Sequence, residues 1–269
     1  MESSSGILPI TRAVLSIVFS YLIGSIPMGY LVAKLGGGID IREHGSGNIG
    51  MTNVFRTLGP GMGILTGVLD FFKGYLPVLI VMKTFSITDF GGVMVIYELI
   101  VIMVALFVVI GHMFPVYLLF RGGKGVATGL GVLSALLGVY IFIPIAIFGI
   151  VLLVFRYISL ASMAGALAAP FTALFLSKNL PFNTQQSNSA TFLLLIFSLI
   201  LAFFIVLRHS RNIGRIMKGT EPKIGKIKVP KRFPFAKLVE PVKKTDPETD
   251  SPPVQVEKKK SRENEASEK

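Results

Sequence analysis

The chain has no cysteine, no tryptophan and only three histidines, and charged side chains make up 16% of its 269 residues. Without cysteine there is no disulfide, no thiolate metal ligand and no thiol nucleophile. His44, His112 and His209 fall in separate segments with no His-x-x-His or His-x-x-x-His pair, so no metal site is expected. Without tryptophan, an interfacial aromatic belt must use Tyr and Phe. Soluble domains carry about 25% charged residues. The shortfall here, with 52% hydrophobic residues and a mean hydropathy of +0.68, excludes an ordinary soluble globule. The same apolar mass excludes disorder over most of the length.

Apolar runs of spanning length dominate instead. They cover about 8–35, 62–82, 93–119, 126–155, 159–176 and 190–207. The first is too long for a cleaved signal peptide and lacks an A-x-A-like exit. The fourth is ambiguous by length, but Arg121 and Lys124 precede it and Arg156 follows it. If basic loops lie on the cytoplasmic side, both of its ends do. The expectation is two short helices, about 126–140 and 141–155, that cross thinly or re-enter. The fold expected is therefore all-α and polytopic, with seven transmembrane helices, a short middle pair, the N-terminus outside and the C-terminus cytoplasmic. Lys83 and Lys178 are then the only basic residues of the external loops.

The net charge of +12 is concentrated from Arg208 onward. It reflects membrane topology and a basic tail rather than a nucleic-acid partner. Residues 1–221 are read as the membrane domain and 222–269 as a disordered cytoplasmic tail. The stretch 223–237, with Phe233 and Phe235 among its cations, would suit anionic lipid headgroups or be simply solvated.

The distinctive polar residues gather on the cytoplasmic loops. The run His44-Gly-Ser-Gly-Asn-Ile-Gly50 is a small-residue turn whose backbone can approach an anion. After it, Asn48, Thr52 and Arg56 are spaced four apart and Asn53 and Arg56 three apart, one polar face of a short helix. A capped interfacial helix would look similar. In Phe120-Arg-Gly-Gly-Lys-Gly-Val-Ala-Thr128, glycines flank Lys124 and a helix follows, which suits a phosphate cradle or a basic topogenic turn. It is not a nucleotide P-loop, because Gly125 follows Lys124 where that motif needs Ser or Thr. Arg208, Arg211, Arg215 and Lys218 form a basic helical stripe with His209 and Asn212 beside it. Inside the membrane, Asp70 and Lys73 at i and i+3 are expected to pair. Glu98 is expected to snorkel, and His112 to bond nearby backbone. There is no G-x-S-x-G elbow. No His is followed five residues later by Asp, the spacing of many acyl-CoA-dependent glycerolipid acyltransferases.

Four of these segments together resemble the bacterial acyl-phosphate:glycerol-3-phosphate acyltransferases, the PlsY family. They are the 44–56 turn and helix, Gly111-His-Met-Phe-Pro115 with the 120–128 loop, Arg156-Tyr-Ile-Ser159, and Arg208-His with Asn212. The likeness spans about 9–221, departing mildly at Met51 and Arg121, where Ala and Lys are expected. It implies transfer of a fatty acyl group from acyl-phosphate to the 1-hydroxyl of glycerol 3-phosphate, releasing phosphate, without an acyl-enzyme and without a cofactor. It implies a bacterial inner-membrane enzyme whose active site faces the cytoplasm, with these two substrates and membrane lipid as its partners. Oligomeric state is left open. By motif, Arg56 binds phosphate, and Lys124 with Gly122, Gly123 and Gly125 cradles phosphate and the developing oxyanion. Ser46, Asn48, Ser159, His209 and Asn212 orient glycerol phosphate, and Asn53, Thr128 and His112 fall to substrate binding.

Two other classes fit a basic-looped membrane protein. A transporter of an organic phosphate would place its site near the midplane on broken helices, whereas these polar clusters gather at one face. A lipid-binding scaffold would not require the glycine turns around Ser46 and Lys124.

Overall fold

A computed structural model describes residues 3–176, 180–182 and 187–225. Among them all regular structure is helical, in ten α-helices joined by loops and short 3₁₀ turns. Six segments are long and apolar enough to cross a membrane: Leu8–Gly37, Pro60–Thr84, Met94–Leu118, Val126–Phe155, Ile158–Leu176 and Asn188–Arg208. Part of the 177–190 loop and the tail from 226 lie outside the described residues.

The first segment is broken. Helix α1 (Ser3–Ser25) stops before Pro27, which has no N–H to continue the ladder, and α2 (Met28–Gly37) restarts beyond it. In lipid an exposed carbonyl at such a break must be satisfied from within the protein. Lys73 does this, donating to the Ile26 carbonyl at 2.8 Å. Lys73 also pairs with Asp70 at 2.8 Å, the mutual pair that the spacing predicts.

Helix α3 (Met51–Leu58) is short and amphipathic, burying Asn53, Val54 and Leu58. Helices α4 (Pro60–Thr84) and α5 (Met94–Met113) form the centre of the bundle. They pack closely on their neighbours where small residues allow it. A Cβ on Gly24 of α1 would lie 2.1 Å from the Val108 carbonyl of α5, and one on Gly111 would lie 2.3 Å from the Tyr21 carbonyl. Gly74 and Gly131 bring α4 against α6 in the same way, 2.2 Å from the Thr128 carbonyl and 2.0 Å from that of Phe71.

The 126–155 segment is divided into α6 (Val126–Leu137), a 3₁₀ turn at Gly138–Ile141 and α7 (Phe142–Phe155). At roughly 1.5 Å per residue each helix falls short of the ~30 Å hydrocarbon thickness. Gly138 has φ +56°, and a Cβ there would also strike Pro181 at 2.6 Å. Helices α8 (Ile158–Leu176) and α9 (Asn188–Arg208) complete the bundle, and α10 (Ser210–Met217) follows.

Glu98 does not snorkel. It is fully buried on α5, where it accepts a short hydrogen bond from the Ser189 hydroxyl of α9. Position along a helix suggested an escape route, but the packing of α9 closes it.

Candidate active site

Lys124 leaves the glycine loop just before α6, and its ammonium donates to Asn212 Oδ1 on α10 at 2.6 Å. The Asn212 amide donates in turn to Glu221 Oε1 at 2.7 Å. The same oxygen accepts from Ser159 Oγ at the head of α8, at 2.9 Å. Arg215 Nε donates to Glu221 Oε2 at 2.7 Å. Three segments remote in sequence thus meet through one carboxylate. Because this chain of bonds links Lys124 to Ser159, both ends of the 126–155 segment lie at the same end of the bundle.

Burial alone would raise the Glu221 carboxyl, but its bonds to Asn212, Arg215 and Ser159 outweigh that and hold it below the usual carboxylate range. Neutralising it removes the acceptor shared by three donors. Glu221→Gln is expected to lower stability by about 1–3 kcal/mol, read as a lower melting temperature in detergent.

The pocket has surplus positive charge. Lys124 is lowered to about 8, first by burial and then by Arg215, Arg56 and Arg208, with Glu221 opposing. Arg56 comes from α3 and is half-buried. Its Nε has no hydrogen-bond partner, and burial lowers its pKa. His209 sits at the junction of α9 and α10, 3% exposed, with Nδ1 2.7 Å from the Ile205 carbonyl. That bond places the proton on Nδ1 and leaves Nε2 as an acceptor. Burial, and then the charge of Lys124, lower its pKa to about 4, so the ring is neutral at pH 7.

The glycine loop is held by Arg208. Its guanidinium donates to the carbonyls of Met113 (3.1 Å), Gly122 (2.9 Å) and Gly123 (2.9 Å). Gly122 and Gly123 allow the loop to lie flat on the end of α5. A Cβ on Gly122 would be 2.2 Å from the His112 carbonyl, and one on Gly123 would be 2.1 Å from His112 Nε2. Gly125, at φ +81°, starts α6. The first-turn N–H groups of that helix have no partner within it and face the anion-favouring end of its dipole.

The 44–50 turn is organised around Asn53. Its amide donates to the carbonyls of Ile41 (3.2 Å), His44 (2.9 Å) and Asn48 (2.9 Å), and its Oδ1 accepts from the Ser46 N–H at 2.8 Å. Asn48 Oδ1 accepts from the Gly50 N–H at 2.8 Å, closing the turn that begins α3. Ser46 is exposed and joins the site through this turn and α3.

The structure therefore bonds Lys124 directly to Asn212 and joins both to Ser159 through Glu221, with His209 and Arg56 close enough for their charges to interact. It places Asn53, His112 and Thr128 in the interior, each less than 5% exposed. Asn53 spends its amide on backbone, and Thr128 is buried in the first turn of α6. Sequence reasoning missed two participants. Arg208 read as one cation of a basic helical stripe, and Glu221, the last residue of the expected membrane domain, was given no role. The tail boundary gave no hint that the chain stays attached beyond Glu221. Ile224 N–H donates to the Arg156 carbonyl at 2.8 Å, and Lys223 lies over the Tyr157 ring.

A model of the glycerol-3-phosphate acyltransferase family matches residues 14–219. The chain belongs to that family. Relatives named glycerol-3-phosphate acyltransferase include one from Geobacillus kaustophilus, 43% identical over 210 residues (78% of this chain, 95% of the relative). Another, from Thermosynechococcus vestitus, is 41% identical over 212 residues (77% and 93%). Among solved structures, this acyltransferase-family chain is similar to PlsY, described as an integral membrane glycerol 3-phosphate acyltransferase. The glycerol 3-phosphate form matches with a TM-score of 0.66 at 36% identity, covering 80% of this chain and 96% of that one. The lysophosphatidic acid form matches with a TM-score of 0.64.

Proposed function

We propose that this acyltransferase moves a fatty acyl group from acyl-phosphate to the 1-hydroxyl of glycerol 3-phosphate. The products are 1-acylglycerol 3-phosphate and inorganic phosphate, the first acylation step of phospholipid synthesis. The observation that carries the reading is the bonded chain Lys124–Asn212–Glu221–Ser159 beside a half-buried Arg56 whose Nε has no partner. Cations outnumber the single carboxylate there, which suits two phosphorylated reactants that repel each other in water.

The donor is already a mixed anhydride, so no acyl-enzyme is needed. The hydroxyl oxygen attacks the acyl carbon, the bond from that carbon to the bridging oxygen breaks, and the hydroxyl proton goes to the departing phosphate. An ammonium has three donors, and Lys124 spends one on Asn212, leaving two for phosphate and oxyanion. Arg56 holds glycerol phosphate by its phosphate, and Ser46, Asn48, Ser159, His209 and Asn212 align its hydroxyls. Asn53 acts through the turn it braces. Alignment of this kind can contribute ~7–11 kcal/mol. His209, with a pKa of about 4, is too weak a base to take the proton efficiently at neutral pH. It accepts a hydrogen bond from glycerol at Nε2 instead. His209→Ala is expected to lower kcat at every pH and leave the shape of the pH–rate profile unchanged. Loss of an acid-side limb would instead identify His209 as the base.

We read seven crossings from α1, α4, α5, α6, α7, α8 and α9, with the pocket on the cytoplasmic side of a bacterial inner membrane. Both ends of the 126–155 segment at one end of the bundle support that count, as does the concentration of Lys and Arg at that end. The direct test is turnover by purified protein in lipid, with glycerol 3-phosphate and either acyl-phosphate or acyl-CoA. Phosphate release stoichiometric with acylation is expected from acyl-phosphate only. Equal use of acyl-CoA would refute the assignment of the donor.

A further inference from the structure

Beneath the glycine loop lies a second ionisable cluster that the transfer step does not use. Asp70, Lys73 and His112 are each less than 5% exposed, on facing sides of α4 and α5. Ionisable groups inside a membrane bundle are costly and seldom kept without a use. An apolar pair of similar size would serve stability as well or better. What distinguishes this cluster is where its arms end.

One arm runs from Asp70 through Lys73, paired at 2.8 Å, to the Ile26 carbonyl at the break between α1 and α2. Helix α2 then packs on the turn before Arg56, for a Cβ on Gly29 would lie 1.8 Å from the Ile49 carbonyl. The other arm runs from Asp70 Oδ1 to His112 Nδ1 at 3.5 Å. The opposite edge of that ring faces Gly123, leaving no room for a side chain there, and the His112 carbonyl accepts the Gly123 N–H at 3.1 Å. Gly123 is the residue before Lys124. The single carboxylate of Asp70 therefore stands behind both cation-bearing loops.

We propose that Asp70, Lys73 and His112 are positioning residues that set the height of the glycine loop, and with it the register of Lys124 on Asn212, without touching substrate. The inference rests on the transfer reaction proposed above for its kinetic consequence, but not for its structural one. His112 fixes the loop by ring contact and carbonyl together, and the Asp70 carboxylate backs the other edge of the ring, 3.5 Å from Nδ1 without a hydrogen bond between them. Arg208 clamps the same loop from the α9 side, so the loop is held between two independent supports. Removing the inner one lets Lys124 move while Arg208 still retains the loop on the bundle. A displacement of about 1 Å at such a group can cost about 10²-fold in rate.

The test uses the full chain in lipid nanodiscs with three variants: Asp70→Asn, His112→Ala, and the uncharged double variant Asp70→Asn/Lys73→Met. The double variant removes both charges together, so neither is left buried alone. Steady-state kinetics are read with glycerol 3-phosphate and acyl-phosphate, and hydrogen exchange is read on peptides covering 119–126 and on peptides of α8 and α9. The expected result is a fall in kcat of about 10²-fold with KM for glycerol 3-phosphate changed less than about threefold. Exchange is expected to be faster in 119–126 alone, with α8 and α9 as in the wild type. Wild-type kcat and wild-type exchange in the double variant would overturn the proposal. So would faster exchange spread equally through α8 and α9, which would mark the cluster as general support for the fold. If wild-type protein fails to turn over acyl-phosphate, the donor assignment falls, and the exchange measurement still decides the positioning role.

Discussion

Lys124→Ala lowers kcat by about 10²–10³, the cost of losing one donor aimed at developing negative charge. The fold survives, because the substitution frees only one bond to Asn212, whose amide remains bonded to Glu221. The pH dependence gives a sharper test. In the substrate-free protein Lys124 titrates at about 8, so it loses its charge as pH rises through that value. The ratio kcat/KM reports the free enzyme and should fall above pH 8. The substrate phosphate cannot cause this limb, since its second ionisation, near pH ~6, is already complete. Bound phosphate raises the lysine pKa, so kcat itself should hold to higher pH. Lys124→Arg keeps its charge throughout and should flatten the limb, at some cost in rate from altered geometry.

Arg56→Ala should act mainly on the binding of glycerol 3-phosphate. Charge-assisted hydrogen bonds contribute about 1.5–3 kcal/mol each, and two of them to one phosphate correspond to a loss of about 10² or more in kcat/KM. Stability should change by less than about 0.5 kcal/mol, since Nε has no protein partner to leave unsatisfied. Arg56→Lys should recover part of the affinity, because a point charge replaces a planar fork. The measurement is KM for glycerol 3-phosphate alongside a melting curve. A large drop in melting temperature would instead make Arg56 a structural residue.

The bundle was legible because spanning helices are written in long apolar runs, and the paired turn in 126–155 because basic residues stand at both ends. The loops were legible because glycines bracket Lys124 and Asn48, and a cation between glycines is unusual enough to attract notice. The partners of those loops were not. Arg208 acts on carbonyls of residues 113, 122 and 123, and a carbonyl has no sequence signature. Glu221 acts through bonds to side chains on α8 and α10, set by the way the chain folds back after α10. Asn53 and His112 looked like substrate contacts because they share a face or a motif with such residues. Helical spacing fixes a face, but not whether another element covers it, and here the 41–48 backbone covers Asn53 and the glycine loop covers His112. Glu98 was misjudged for the same reason.

The most direct measurement is equilibrium binding of glycerol 3-phosphate, followed as ligand-induced thermal stabilisation, to the wild type and to Arg56→Ala, Lys124→Ala and His209→Ala. These residues come from three segments separated along the chain, α3, the glycine loop and the α9–α10 junction. If they share one pocket, each substitution alone should abolish or sharply reduce the same stabilisation, measured against that variant's own unliganded melting temperature. If two of the three variants bind glycerol 3-phosphate as the wild type does, the segments do not form a single site, and the pocket described here is not where the substrate is held.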